Sequence, residues 1–105
     1  MSATKDVAGS AELGEGGMLR VEHLGRAVLL ARVNGRAYAV DDLCTHEDAS
    51  LFTGCLKGTA VKCPLHGARF DLATGLPLEE PADEAIATYE LEERNGRIYL
   101  GNRQE

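Results

Sequence analysis

Two short segments carry the residues best suited to chemistry: Cys44-Thr45-His46 and Cys63-Pro64-Leu65-His66, separated by residues 47–62. Thiolate is a soft ligand and neutral imidazole a borderline one, so this set favours an iron–sulfur cluster or zinc over magnesium or calcium. A structural zinc site usually draws a close pair of cysteines from one turn, so that two thiolates share one tetrahedral ion. Here each segment supplies one Cys and one His. That division suits a two-iron cluster in which Cys44 and Cys63 hold one iron and His46 and His66 the other, each segment spanning both irons. A zinc-stapled binding module using the same four residues is the competing reading. Colour separates them, because zinc is colourless and a cluster is red-brown.

Other candidates read more plainly. Cys55, in Thr53-Gly54-Cys55-Leu56, is expected to be a partly buried small residue rather than a ligand. His23 has no second ligand near it in sequence and reads as a strand-surface histidine. Asp41 and Asp42 are expected to end a strand and solvate the loop that follows. Gly54, Gly67 and Gly75 suit close backbone approach or positive φ, Gly67 most of all because it adjoins His66. Pro64 fixes φ beside Cys63. No nucleophile–base pair and no phosphate-binding loop is visible.

The elements that must position these segments read as β. Asn34-Gly35 and Asn95-Gly96 each lie between apolar or β-branched runs, the strongest short-range sign of a two-residue hairpin. They predict strands at 26–33 and 36–40, and at 85–92 and 97–100. In the second hairpin Ala87, Tyr89 and Leu91 alternate with Thr88 and Glu90, the period of a strand with one face on a core. Residues 14–22 predict a further strand, and no window shows a capped helical stripe. The first few residues and the tail 102–105 are expected to be loose. Between the hairpins lie two aperiodic stretches, about 41–59 and 63–81, each holding one cysteine–histidine pair. Loops that long are uncommon in a small domain unless something ties them down.

The chain has 105 residues and 44% apolar content, enough for one core, so residues 1–105 are read as one domain. Three cysteines, an odd number, make a disulfide framework the weaker reading. The formal net charge of −6 and the lack of a Lys/Arg cluster argue against nucleic acid. Acidic residues gather at Asp41, Asp42, Glu47 and Asp48, and again at Glu79, Glu80, Asp83, Glu84, Glu90, Glu92 and Glu93. They either keep the protein soluble or steer it towards basic partner patches. With no long apolar run and no secretory signal at the start, the expectation is a soluble cytoplasmic protein that does not engage a membrane.

The two segments, the second extended by Gly67 and followed by Phe70-Asp71 and Thr74-Gly75, resemble the two boxes of the Rieske family. The run CTHEDASLFTGCLKGTAVKCPLHGARFDLATG is similar to that of the small soluble Rieske ferredoxins of ring-hydroxylating oxygenase systems. The resemblance covers about residues 21–100. It implies an all-β fold, a small antiparallel β-sandwich with a cluster-binding subdomain made of the two long loops. It also implies one Rieske-type [2Fe–2S] cluster on Cys44, His46, Cys63 and His66, with the histidine ring edges outward. The function implied is one-electron transfer from a flavin-dependent ferredoxin reductase to a terminal oxygenase, with no substrate transformed on this chain. An oxygenase large subunit would need a second iron site with two histidines and a carboxylate, and only His23 remains. Runner-up readings are a small electron-transfer subunit of a nitrite-reductase-type complex and a redox sensor.

Departures from the family bear on potential. Respiratory members carry bracing cysteines where this chain has Ala49 and Leu65, and hydroxyl donors to the sulfurs where it has Ala68 and Phe70. Fewer donors stabilise the reduced cluster less, so a midpoint near the low end of the Rieske range, roughly −150 mV, is expected.

Overall fold

The computed structural model describes residues 4–44, 49–64, 68–78 and 84–104. In chain order the strands are β1 (Lys5–Gly9), β2 (Met18–His23), β3 (Arg26–Val33), β4 (Arg36–Asp41), β5 (Cys55–Lys57), β6 (Ala60–Lys62), β7 (Arg69–Asp71), β8 (Thr88–Arg94) and β9 (Arg97–Gln104). Short 3₁₀ turns occur at Ser10–Glu12 and Leu51–Thr53, and no α-helix is found among the described residues. Six strands form one antiparallel sheet in the order β1-β9-β8-β4-β3-β2, while β5-β6-β7 form a second. No helix among the described residues is long and apolar enough to cross a membrane.

Both Asn-Gly pairs turn hairpins as expected. Asn34 and Gly35 have φ of 53° and 78°, and Asn95 and Gly96 of 51° and 75°, the doubly left-handed turn whose twist matches its strands. A third such turn joins β2 to β3 at Leu24-Gly25, with φ of 55° and 73°. A leucine there gives no turn signal, because its side chain is strained in that region.

Strand β3 explains the layering. Val28, Leu29, Leu30 and Ala31 are all fully buried. Alternation sends Val28 and Leu30 to a core with Ala37, Ala39, Tyr89, Ile98 and Leu100. It sends Leu29, Ala31 and Val33 to the opposite face, with Val40 and the residues of the small sheet and its loops. The large sheet is therefore covered on both sides at β3, and the small sheet forms one cover.

Arg32 fastens this frame. Its Nε donates to the Leu13 carbonyl at 2.6 Å, and its other nitrogens reach the Gly35 carbonyl at 3.1 Å and Glu93 at 2.6 Å. The guanidinium holds the Glu93 carboxyl below its ordinary value. Arg97 on β9 pairs with Asp6 on β1 at 2.8 Å, holding the outer strand.

The structure extends the sequence reading at both ends. β1 begins at Lys5, and Asn102 to Gln104 continue β9 rather than forming a loose tail; residues 1–3 and Glu105 lie outside the described residues. Thr88 pairs with Gln104 and Tyr89 with Arg103. The stretches 41–59 and 63–81 are not wholly irregular, since they contain β5, β6 and β7. Three-residue strands are too short to show a period, and they persist because Val61 and Phe70 are fully buried against the large sheet.

Candidate metal centre

Cys44 follows β4 and Cys63 follows β6, so a strand from each sheet delivers one thiol. The two necks share one construction. The Cys44 amide donates to the Ala49 carbonyl at 3.0 Å, and the Cys63 amide to the Ala68 carbonyl at 2.7 Å, so each chain limb leaves at a cysteine and returns five residues later. Antiparallel contacts continue below each neck, Leu43 with Ser50 and Lys62 with Arg69. Both cysteines are 2% exposed and belong to one buried cluster with Ala49, Leu51, Ala68 and Phe70. Among the described residues the cysteines form no disulfide.

Backbone contact brings the two limbs together. Gly54 ends the turn that follows the first neck, and a Cβ built there would lie 1.9 Å from the carbonyl oxygen of Lys62, the residue before Cys63. Only a glycine lets the limb returning from Cys44 approach the strand entering Cys63 this closely. Gly75, with φ of 77°, makes the equivalent approach to Ile86, whose carbonyl oxygen would lie 2.0 Å from an added Cβ. Asp71 closes the turn before it by accepting from the Thr74 amide at 2.9 Å and hydroxyl at 2.8 Å. Gly67 lies outside the described residues, as do His46 and His66. Consequently no group of three or more candidate ligands appears among the described residues.

A buried, apolar-walled pair of thiols on two matched necks fits a cluster shielded from water. The model of the Rieske [2Fe-2S] domain matches residues 3–90. The chain belongs to the Rieske [2Fe–2S] family.

Two ferredoxins illustrate the relationship. The chain is 36% identical to ferredoxin CarAc of Metapseudomonas resinovorans over 95 residues, covering 90% of this chain and 89% of that one. It is 41% identical to the ferredoxin component of the naphthalene 1,2-dioxygenase system of Pseudomonas putida, covering 82% and 83%. Among solved structures, it matches a chain in a complex of reduced oxygenase and oxidized ferredoxin in carbazole 1,9a-dioxygenase with a TM-score of 0.90, at 31% identity, covering 97% and 95%. This Rieske ferredoxin carries one Rieske-type [2Fe–2S] cluster and serves as an electron carrier rather than a catalyst.

Within the Rieske domain several residues stand where the sequence did not place them. Cys55 is exposed on β5 rather than partly buried, because alternation along that edge strand turns its side chain outward. His23 is not on the surface. It is 3% exposed, with Nε2 2.8 Å from the Gly101 carbonyl and its ring edge-on to Tyr89. Gly101 of β9 covers it, a contact between residues 78 apart that local sequence cannot reveal.

The two aspartates do not solvate a loop. Asp41 does end β4, and its carboxylate accepts from the Tyr89 hydroxyl at 2.6 Å and from Arg103 at 2.7 Å. Burial, then the bond to Asp41, pushes the Tyr89 phenol up to about 12. Asp42 is 2% exposed and accepts from the Ser50 hydroxyl at 2.5 Å and the Phe52 amide at 2.9 Å. Arg20 lies 3.4 Å from it. The sequence signal that could have found it is the polar Ser50 eight residues on, but nothing local orders that pair.

Proposed function

We propose that Cys44, His46, Cys63 and His66 hold the cluster, and that residues 1–105 act as one domain carrying it between a flavin-dependent reductase and a terminal oxygenase in the cytoplasm. The observation that carries this reading is the matched pair of necks: two cysteines in separate segments, each closed by an amide-to-carbonyl bond across five residues and both buried in one cluster. When bound, the cluster supplies a one-electron couple whose histidine iron is the reducible site, since neutral imidazole leaves that iron less negative than thiolate would. The chain's own residues hold the thiolates rigid and exclude water from them.

The surroundings support a low potential. Ala68 and Phe70 are fully buried and offer no hydroxyl, so the side chains at these positions cannot donate to a sulfur. A midpoint of roughly −150 mV follows, and a titration giving a value above zero would refute it. Partner docking near the cluster is supported by exposed apolar side chains close to both necks. Leu43, 55% exposed, precedes Cys44, and Leu78, 51% exposed, donates its amide to Arg69 beside the second neck. The ferredoxins it resembles are components of dioxygenase systems, which supports an oxygenase as the acceptor.

The test is iron and acid-labile sulfide analysis with EPR on Cys63→Ala and His66→Ala. Each variant is expected to lose visible absorbance and the reduced-state signal, because metal binding and loop order are coupled. Full absorbance in either variant would overturn the ligand set, and a colourless wild-type protein containing zinc would return the stapled-module reading.

A further inference from the structure

The geometry points to Asp42 as a positioning residue for the cluster, a buried strut that fixes the first neck to the large sheet and, through Gly54, sets its distance from the second. The inference rests on the ligand reading above.

Asp42 is engaged through both backbone and side chain. Its amide donates to the Ala27 carbonyl of β3 at 3.1 Å, and its carbonyl accepts from Leu51 at 2.7 Å. Its carboxylate accepts from Ser50 and Phe52 and faces Arg20 of β2. One residue thus grips Ser50, Leu51 and Phe52, the limb returning from the neck, while its backbone is anchored in the main sheet. That limb runs into Gly54, whose Cα packs against the Lys62 carbonyl next to Cys63. The connection Ala27–Asp42–Ser50–Gly54–Lys62 therefore joins the two cysteine-bearing limbs without a covalent link. A carboxylate buried this deeply is costly unless its oxygens are bonded. Here two hydrogen bonds go to the limb returning from the first neck, and Arg20 of β2 supplies the opposite charge. The Ser50 hydroxyl is the replaceable part of the strut, because its loss leaves the backbone bonds and the Arg20 pair in place.

The experiment uses the full chain with its cluster. Wild type, Ser50→Ala, Ser50→Thr and Asp42→Asn are compared for the rate of absorbance loss under a chelator, for the reduced-state EPR spectrum, for midpoint potential and for melting temperature. Ser50→Ala should lose its cluster roughly tenfold faster, as expected for a lost bond to a charged acceptor, and its EPR g-values should shift. Ser50→Thr, which keeps the hydroxyl, should restore both, and Asp42→Asn should exceed Ser50→Ala in each. If Ser50→Ala melts earlier yet keeps the wild-type loss rate, spectrum and potential, Asp42 merely stabilises the fold and the proposal falls. A wild type without iron or labile sulfide would instead overturn the ligand assignment, and the strut with it.

Discussion

Gly54→Ala isolates the contact that brings the two cysteine-bearing limbs together. The glycine has φ of −87°, so an alanine there meets no left-handed strain and the cost is steric. The added methyl would sit 1.9 Å from the Lys62 oxygen, 3.1 Å from its carbonyl carbon and 3.2 Å from the Leu51 oxygen. The first contact is between backbone atoms, so no rotamer change relieves it, and the limbs must separate by roughly 1–1.5 Å to reach van der Waals distance. Overpacking of this kind costs about 3 kcal/mol, a large part of the 5–15 kcal/mol that holds a domain folded. For a domain of this size the melting temperature should fall by roughly 10–20 °C. The displaced atom belongs to the residue preceding Cys63, so the cluster should be lost before the large sheet unfolds. Thermal scans of cluster-loaded protein, followed at once by visible absorbance and far-ultraviolet circular dichroism, would show two separated transitions. Gly14→Ala is the control, since nothing lies within 4 Å of its added methyl, and it should stay within about 0.5 kcal/mol of wild type. If Gly54→Ala melts within a few degrees of wild type with a single transition, the close approach does not set the limb spacing.

Three further outcomes are expected. Leu24, 64% exposed with φ of 55°, holds a strained turn position; Leu24→Asn should raise stability by about 1 kcal/mol in the same scans, and a loss would show that the leucine side chain matters more than its backbone. Tyr89 has a folded-state pKa raised from 10.0 to about 12. Its contribution is therefore intact below pH 10 and is lost as pH climbs from 10 to about 12. Denaturant titrations of wild type across that window should show the decline and Tyr89→Phe should not share it; parallel curves would contradict the assignment. The net charge of −6 predicts that electron transfer with a basic partner slows several-fold when salt rises from low to physiological levels, whereas a salt-independent rate leaves the acidic surface with solubility alone.

The cysteine and histidine types and their division between two segments are properties of the chain, so the resemblance to the Rieske family was legible in the sequence alone. The two Asn-Gly hairpins and strand 26–33 were equally legible, because turn chemistry and strand period are local. Residues 14–22 and 85–92 were right in kind but shifted, β2 beginning at Met18 and β8 at Thr88, since ladder partners rather than propensity end a strand. Only the tertiary structure could decide what depends on partners remote in sequence. His23 is buried by Gly101, Asp42 by Ser50 and Phe52, and the three-residue strands hold because the large sheet lies beneath them. A polar residue's burial is set by what arrives from elsewhere in the chain to bond it, and short-range pattern carries no record of that arrival.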